Sequence, residues 1–195
     1  MGTLYAPREM IGRLVAFDTT SRSSNLNLID FVSDYLKGHG LTPRLIPNPE
    51  GTKANLLVTL GPDVPGGIIL SGHTDVVPVD DQPWDTDPFT VTQKDGKLFG
   101  RGTADMKSFS AVALALVPEF LARGVKVPIH IALSYDEEVG CLGVRPMIAD
   151  IVRDVPKPKL AIIGEPTDMK VVNAHKGIRS FRTTITGREA HSSQT

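Results

Sequence analysis

Acidic residues and one histidine recur in this chain at intervals of about 30 residues, which is the length of a strand-helix-strand unit. These residues are, in chain order, His73 with Asp75, Asp105, Glu137 with Glu138, and Glu165. Strand-like runs at 68–70, 129–134 and 160–163 come directly before the first, third and fourth of these groups. Because the carboxyl ends of parallel strands meet at one edge of a sheet, we expect all four groups to share a crevice.

Five carboxylates in one crevice would repel each other strongly. Two unit charges about 5 Å apart repel by roughly 3 kcal/mol at an effective dielectric of about 20. The pattern therefore predicts a bound cation. Histidine combined with carboxylates, and no thiolates, is the ligand set of zinc, cobalt or manganese in a hydrolytic site rather than of a structural zinc.

Each group also has an interpretation without a metal. Asp105 precedes a helix-like segment, and a carboxylate at a helix amino end could act only as a cap. The Glu137-Glu138 pair could be a solvated acidic turn, and Glu165-Pro166 could simply open a loop. We assign Asp75 to orienting His73, since a metal-bound imidazole usually donates its second N–H to a carboxylate that fixes the tautomer.

The hydrophobic pattern predicts an α/β fold, with a mostly parallel sheet flanked by helices. Helical periodicity covers 7–17, 25–37, 109–121 and 143–154, whereas 41–46, 55–60, 68–70, 127–133 and 160–163 are typical of strands. Asp95-Gly96 predicts a hairpin turn.

The segment from Val171 to Gly187 changes to strand-like alternation, which indicates a second unit. We therefore predict a catalytic metal-binding domain over 1–177 and the beginning of a smaller α+β dimerisation or lid domain over 178–195. Because a single uncovered strand is not expected to be stable alone, we expect the chain to be part of a longer protein.

Composition excludes several functions. A formal net charge of −1 argues against nucleic-acid binding, and no stretch approaches the roughly 18 apolar residues of a membrane span. The one cysteine, Cys141, cannot form an internal disulfide, and we assign it as a small packing residue. His39 and His130 are assigned structural roles. We predict a cytoplasmic protein.

Five motifs resemble those of the dinuclear zinc amidohydrolases. They are Ser71-Gly-His-Thr-Asp-Val-Val-Pro78, Gly102-Thr-Ala-Asp-Met-Lys107, Asp136-Glu-Glu-Val-Gly140, Gly164-Glu-Pro-Thr167 and Ala190-His-Ser-Ser193. The resemblance spans nearly the whole chain. It implies a zinc-peptidase-like catalytic domain that binds two Zn²⁺ ions per full-length subunit, with Co²⁺ or Mn²⁺ as alternatives, and a homodimer.

The resemblance also implies a role for each residue. His73, Asp105 and Glu165 would hold one zinc ion, and Asp105 would bridge to a second ion that Glu138 binds. Glu137 would be the general base. His191 matches a histidine that reaches a neighbouring subunit's site and steadies the oxyanion.

The substrate implied by this resemblance is a small N-acyl amino acid. Within the family, the motifs are most similar to those of enzymes that deacetylate N2-acetylornithine in arginine biosynthesis. A desuccinylase, an aminoacylase, a dipeptidase and a truncated non-catalytic module remain alternatives. Family members take a last histidine ligand and a substrate-carboxylate clamp from a later segment that this chain lacks. We therefore expect the isolated chain to bind about one zinc ion more tightly than two, with little hydrolysis.

Overall fold

The computed structural model describes residues 2–177, 179–188, 190, 191 and 193. Its helices are α1 (Pro7–Val15), α2 (Leu26–Gly38), α3 (Lys107–Ala115), α4 (Val117–Arg123) and α5 (Val144–Asp154). Its strands are β1 (Arg44–Pro47), β2 (Ala54–Leu60), β3 (Ile68–His73), β4 (Thr92–Lys94), β5 (Lys97–Phe99), β6 (Ile129–Ser134) and β7 (Leu160–Ile163). Within these residues, no helix has both the length and the apolar character that a membrane crossing requires.

Five strands form one sheet in the order β1-β2-β6-β3-β7, and β4 pairs with β5 in a separate hairpin. Strand β3 runs parallel to both β6 and β7, whereas β2 runs antiparallel to β1 and β6. The α/β class with flanking helices is confirmed, and the sheet is mixed. The short turn between β1 and β2 explains why these two strands are antiparallel, because parallel neighbours need a crossover of a dozen residues or more.

Helices cover both faces of the sheet because the strand side chains alternate between them. On one face Leu56, Val58 and Leu133 belong to a core cluster with residues of α1, α2 and α3. On the other face Leu57 and Ala132 cluster with Met147 of α5.

The helix expected over 109–121 is two helices that meet at Leu116. Pro118 lies in the first turn of α4. Proline there cannot donate to the preceding turn, and its ring clashes with the carbonyl four residues earlier, so a continuous helix cannot pass through it.

The strand expected over 171–187 is absent from the described part of that segment, which contains neither helix nor strand. Phe181 and Ile185 are about 90% exposed. Alternation alone cannot hold a strand without a partner to satisfy its backbone groups and cover its apolar face. The domain boundary that we place near Ile178 falls at a residue outside the described ones, and the division into two domains stays a prediction.

Parallel pairing brings the site together. Strand β3 ends at His73, whose pairing partner is Ser134 at the end of β6, and Ser71 pairs with Ile163 at the end of β7. The residues that follow these three strands therefore leave the sheet at the same edge, as the 30-residue spacing predicted.

Candidate metal centre

His73 lies at the centre of the acidic cluster, with its side chain buried. Its Nε2 is 3.0 Å from Oδ1 of Asp105, 3.9 Å from Oε2 of Glu137 and 3.9 Å from Oε1 of Glu165. Groups about 100 residues apart in the sequence thus converge on one imidazole nitrogen. The crevice expected from the strand ends is present.

Among the residues that the structure describes, two sets of side chains have the geometry to hold a metal ion. One is His73 with Asp105 and Glu165, and the other is His73 with Glu137 and Glu138. Within each set the possible ligand atoms lie within 4.8 Å of one another. Zinc binds imidazole and carboxylate at about 2.0–2.2 Å, so small side-chain movements would close either set around an ion.

Asp75 is buried beneath His73 and accepts three hydrogen bonds. Ser21 Oγ donates to Oδ2 at 2.7 Å, the Glu137 N–H donates to Oδ1 at 3.0 Å, and the Glu138 N–H donates to Oδ2 at 3.2 Å. Asp75 therefore positions the backbone of both candidate glutamates as well as the histidine.

The nearest partner of His73 Nδ1 is the backbone carbonyl of Asp75 at 2.9 Å, and the Asp75 carboxylate is 3.5 Å away. The sequence pattern predicts only the Asp75 carboxylate as the partner of this nitrogen. A proton on Nδ1 that is donated to this carbonyl leaves Nε2 with a free lone pair facing Asp105. That tautomer is the one a metal at Nε2 requires.

Electrostatics in the cluster favour a cation. Burial opposes protonation of His73, but the hydrogen bonds and charge of Asp75, with the charge of Glu165, outweigh it and raise the pKa of His73 to about 9. Burial, together with the charge of Asp105, raises the pKa of Glu138. Burial and the same neighbouring charge also raise the pKa of Glu165. A divalent ion would relieve this repulsion and displace the proton from His73.

Asp105 lies at the end of a glycine-containing loop, just before α3, and about half of its side chain is exposed. Gly102 in this loop has a φ of +85°, a backbone conformation that residues other than glycine rarely adopt. The described residues provide α3 with no side-chain capping hydrogen bond, so the capping interpretation of Asp105 is not supported.

Sequence reasoning missed Lys107, which lies in the same motif as Asp105. Its side chain is buried, and Nζ donates to the Phe17 carbonyl at 2.7 Å. Burial lowers the pKa of Lys107 to about 7, against the charges of Asp18 and Asp75. The available signal was a lysine at the first position of a largely apolar helix. Its bond to Phe17 holds the chain just after α1 against the Asp105 loop.

A cavity of about 150 Å³ opens beside the cluster, lined by residues that include His73, Glu137, Cys141, Val144 and Glu165. The assignment of Cys141 as a packing residue is wrong. Cys141 is exposed, with Sγ 3.5 Å from Oε1 of Glu137. A turn after β6 directs it to the cavity rather than the core, which residue type alone could not show.

Three further histidines have partners away from the cluster. His191 is exposed, and its Nδ1 lies 2.8 Å from Ser193 Oγ. Its role stays a prediction. His39 Nε2 is 3.0 Å from the Thr3 carbonyl, and His130 Nδ1 is 2.9 Å from Thr59 Oγ1, which fits the structural roles that we assigned.

The fold and the convergent histidine and carboxylates are typical of the metallopeptidase class. Residues 69–190 match peptidase family M20/M25/M40, and the chain belongs to this family. The match includes every proposed metal ligand.

The chain is also similar in sequence to bacterial acetylornithine deacetylases. The chain is 41% identical over 179 residues to an acetylornithine deacetylase of Proteus mirabilis (strain HI4320), covering 91% of this chain and 45% of the relative. It is 40% identical over 193 residues to an acetylornithine deacetylase of Pasteurella multocida (strain Pm70), covering 95% of this chain and 49% of the relative. The chain thus spans about half the length of these relatives.

Solved structures show the same fold. Human carnosine dipeptidase 1 superposes with a TM-score of 0.70 at 24% identity, covering 80% of this chain and 38% of that chain. The M20 family metallo-carboxypeptidase Sso-CP2 from Sulfolobus solfataricus superposes with a TM-score of 0.71 at 16% identity, covering 83% of this chain and 37% of that chain. At these identities the likeness concerns the fold alone.

Proposed function

We propose that this chain forms the metal-binding part of a metal-dependent amide hydrolase that converts N2-acetyl-L-ornithine to ornithine and acetate in arginine biosynthesis. The observation that carries the chemistry is the convergence of Asp105, Glu137 and Glu165 on Nε2 of His73. The substrate rests on the relatives of about 40% identity, which are acetylornithine deacetylases.

In this proposal His73, Asp105 and Glu165 would hold one zinc ion. Asp105 and Glu138 would hold a second ion. Zinc, when bound, supplies Lewis-acid activation of the amide carbonyl and of water. The donor set is nitrogen and carboxylate oxygen, which suits zinc, cobalt or manganese.

Glu137 acts as the general base. Its carboxylate lines the cavity and lies 3.9 Å from His73 Nε2. It takes a proton from the water as the new carbon–oxygen bond forms, and it returns this proton to the nitrogen as the carbon–nitrogen bond breaks. Asp75 supports both steps, because it fixes the Glu137 backbone and the side of His73 that faces away from the acids.

We also propose a cytoplasmic homodimer in which His191 reaches the other subunit's site and stabilises the oxyanion. The motif Ala190-His-Ser-Ser193 supports this proposal. Mixing two inactive variants, Glu137→Gln and His191→Ala, tests it. Each heterodimer would regain one active site of its two if the histidine acts across the interface. Mixing would restore nothing if each subunit uses its own histidine.

The main test measures hydrolysis by the protein in its natural length, loaded with zinc. We expect turnover of N2-acetyl-L-ornithine to exceed turnover of N-succinyl-diaminopimelate and of a simple dipeptide by at least about tenfold, a difference of about 1.4 kcal/mol in transition-state binding. Activity should disappear on chelation and return with added zinc. A faster desuccinylase or dipeptidase reaction would overturn the substrate, and metal-independent turnover would overturn the mechanism.

A further inference from the structure

Lys53 makes two charge-assisted contacts beside the candidate centre. This lysine precedes β2, and its Nζ donates to the Ser21 carbonyl and to Oδ1 of Asp136, both at 2.5 Å. The side chains of Lys53 and Asp136 are only 13% and 14% exposed. A largely buried lysine needs a specific partner, and here it joins two segments that are distant in the sequence.

Asp136 begins the turn that carries both candidate glutamates. Its φ is +54°, in the left-handed region that non-glycine residues seldom adopt. The turn is closed by hydrogen bonds from the Leu142 N–H to the Asp136 carbonyl and from the Cys141 N–H to the Glu137 carbonyl, each 3.0 Å long. The ion pair with Lys53 anchors the first residue of this turn.

Ser21 forms the second connection. Its carbonyl accepts from Lys53, and its hydroxyl donates to Oδ2 of Asp75 at 2.7 Å. The turn that begins at Asp136 reaches the same carboxylate through the Glu137 and Glu138 N–H groups. Lys53 is thus linked to Asp75 by two independent routes, although it touches none of the proposed metal ligands.

We infer that Lys53 is a positioning residue that sets the separation between the Glu137-Glu138 turn and His73. The inference rests on the proposed function, because the turn matters only if these glutamates serve a metal and a base. Without the ammonium group, Asp136 would be left as a largely buried, unpaired charge. The Ser21 carbonyl would also lose the donor that Lys53 provides. The turn would then relax away from Asp75.

The test compares Lys53→Met with Lys53→Arg in the protein at its natural length. Lys37→Met is the matched control, because Lys37 is exposed and pairs with Asp34 on the surface of α2. Zinc dissociation constants would be measured by competition with a chromogenic chelator, alongside kcat, KM and thermal unfolding. Loss of a residue that orients metal ligands typically weakens metal binding by about 10–100-fold.

We expect Lys53→Met to weaken the weaker of the two zinc sites by at least about tenfold and to lower kcat more than it raises KM. Lys53→Arg should recover part of both losses, and Lys37→Met should match the wild type. If Lys53→Met does not fold, the double variant Lys53→Met/Asp136→Asn leaves no unpaired charge and must show the same weakening. Wild-type zinc affinity and kcat in a folded Lys53→Met or double variant would overturn the inference.

Variants of the glutamates separate this inference from the proposed function. If Glu137→Gln and Glu138→Gln change neither hydrolysis nor metal binding, the proposed function fails, whatever Lys53→Met shows. If the glutamate variants are impaired and Lys53→Met is not, only the positioning role fails.

Discussion

The backbone N–H of Glu137 donates a 3.0 Å hydrogen bond to Oδ1 of Asp75, so the candidate base is held by the residue that also orients His73. The other oxygen of Asp75 accepts from Ser21 and Glu138. Both oxygens are therefore acceptors. Burial opposes ionisation of Asp75, but the interaction with His73 and the hydrogen bonds from Ser21 and the Glu137 N–H outweigh it and lower the pKa of Asp75. One buried carboxylate couples the strand that carries the histidine to the turn that carries the acids.

Asp75→Asn should therefore impair the centre although it keeps the shape of the side chain. An amide has only one acceptor oxygen, so its NH₂ group would face an N–H or O–H donor. We expect zinc affinity to fall by about 10–100-fold, measured by chelator competition. Asp80→Asn, which alters an exposed aspartate paired with Arg22, is the control and should leave affinity unchanged.

Glu137 and Glu138 should respond differently to the same change. Glu137→Gln removes the proposed base, and we expect kcat to fall by about 10²–10⁴-fold while zinc content stays near that of the wild type. Glu138→Gln removes a proposed ligand and should reduce zinc content first. Metal analysis after dialysis, together with kcat, decides the assignment. Loss of zinc from Glu137→Gln would instead make Glu137 a ligand, which the second set of donor atoms also allows.

The spacing of strands and acids was enough to predict the site's location. His73 is the last residue of β3 and Glu165 lies two residues after β7, and parallel pairing brings residues in those positions together. The antiparallel strands β1 and β2 lie on the side of β6 that faces away from β3. They therefore do not change the arrangement of the parallel strands that form the crevice.

Residues that act through long-range contacts were beyond the reach of local patterns. Ser21 and Lys53 lie outside the helices and strands, with no periodicity or motif to mark them. Their roles appear only when Asp75 and Asp136 pack against them. The expected strand over 171–187 failed for the related reason that pairing depends on a neighbour, which alternation along one segment cannot supply.

Gly143 should not tolerate a side chain. A Cβ at this position would lie 2.2 Å from the Tyr135 carbonyl oxygen, a backbone atom, so α5 or the turn after β6 would have to move. We expect Gly143→Ala to lower the free energy of unfolding by about 1–3 kcal/mol in denaturant titrations. Gly12→Ala is the matched control, because Gly12 is in α1 with nothing near its Cβ position. That change should stabilise by about 0.4–1 kcal/mol.

Acid should destabilise the fold partly through His130. Burial lowers the pKa of His130 against the opposing charge of Asp63, and Nε2 has no hydrogen-bond partner among the described residues. The unfolded chain therefore binds a proton more readily, at a pKa of about 6.5. The neutral form's contribution to stability is complete above that pH and is lost as the pH falls toward the folded-state pKa.

His130→Gln removes this titration. Its free energy of unfolding, measured by denaturant titration between pH 8 and about pH 5, should decrease less than that of the wild type. His39→Gln, which changes a histidine at the end of α2, should follow the wild-type curve. A wild-type acid dependence that survives His130→Gln would assign the effect to other groups.

Zinc should stabilise the protein, because it neutralises carboxylates whose pKa values are raised by burial and by one another. Free zinc at about 100 times the dissociation constant stabilises a single-site protein by about 2.7 kcal/mol. At about 2–4 °C per kcal/mol for a domain of this size, the melting temperature should rise by about 5–10 °C. Asp105→Asn, which alters the proposed shared ligand, should show a smaller rise in melting temperature with zinc than the wild type.

Magnesium at equal concentration separates coordination from charge screening, since it prefers six oxygen ligands and should not replace zinc beside His73. An equal shift with magnesium would show that the crevice attracts cations without binding zinc.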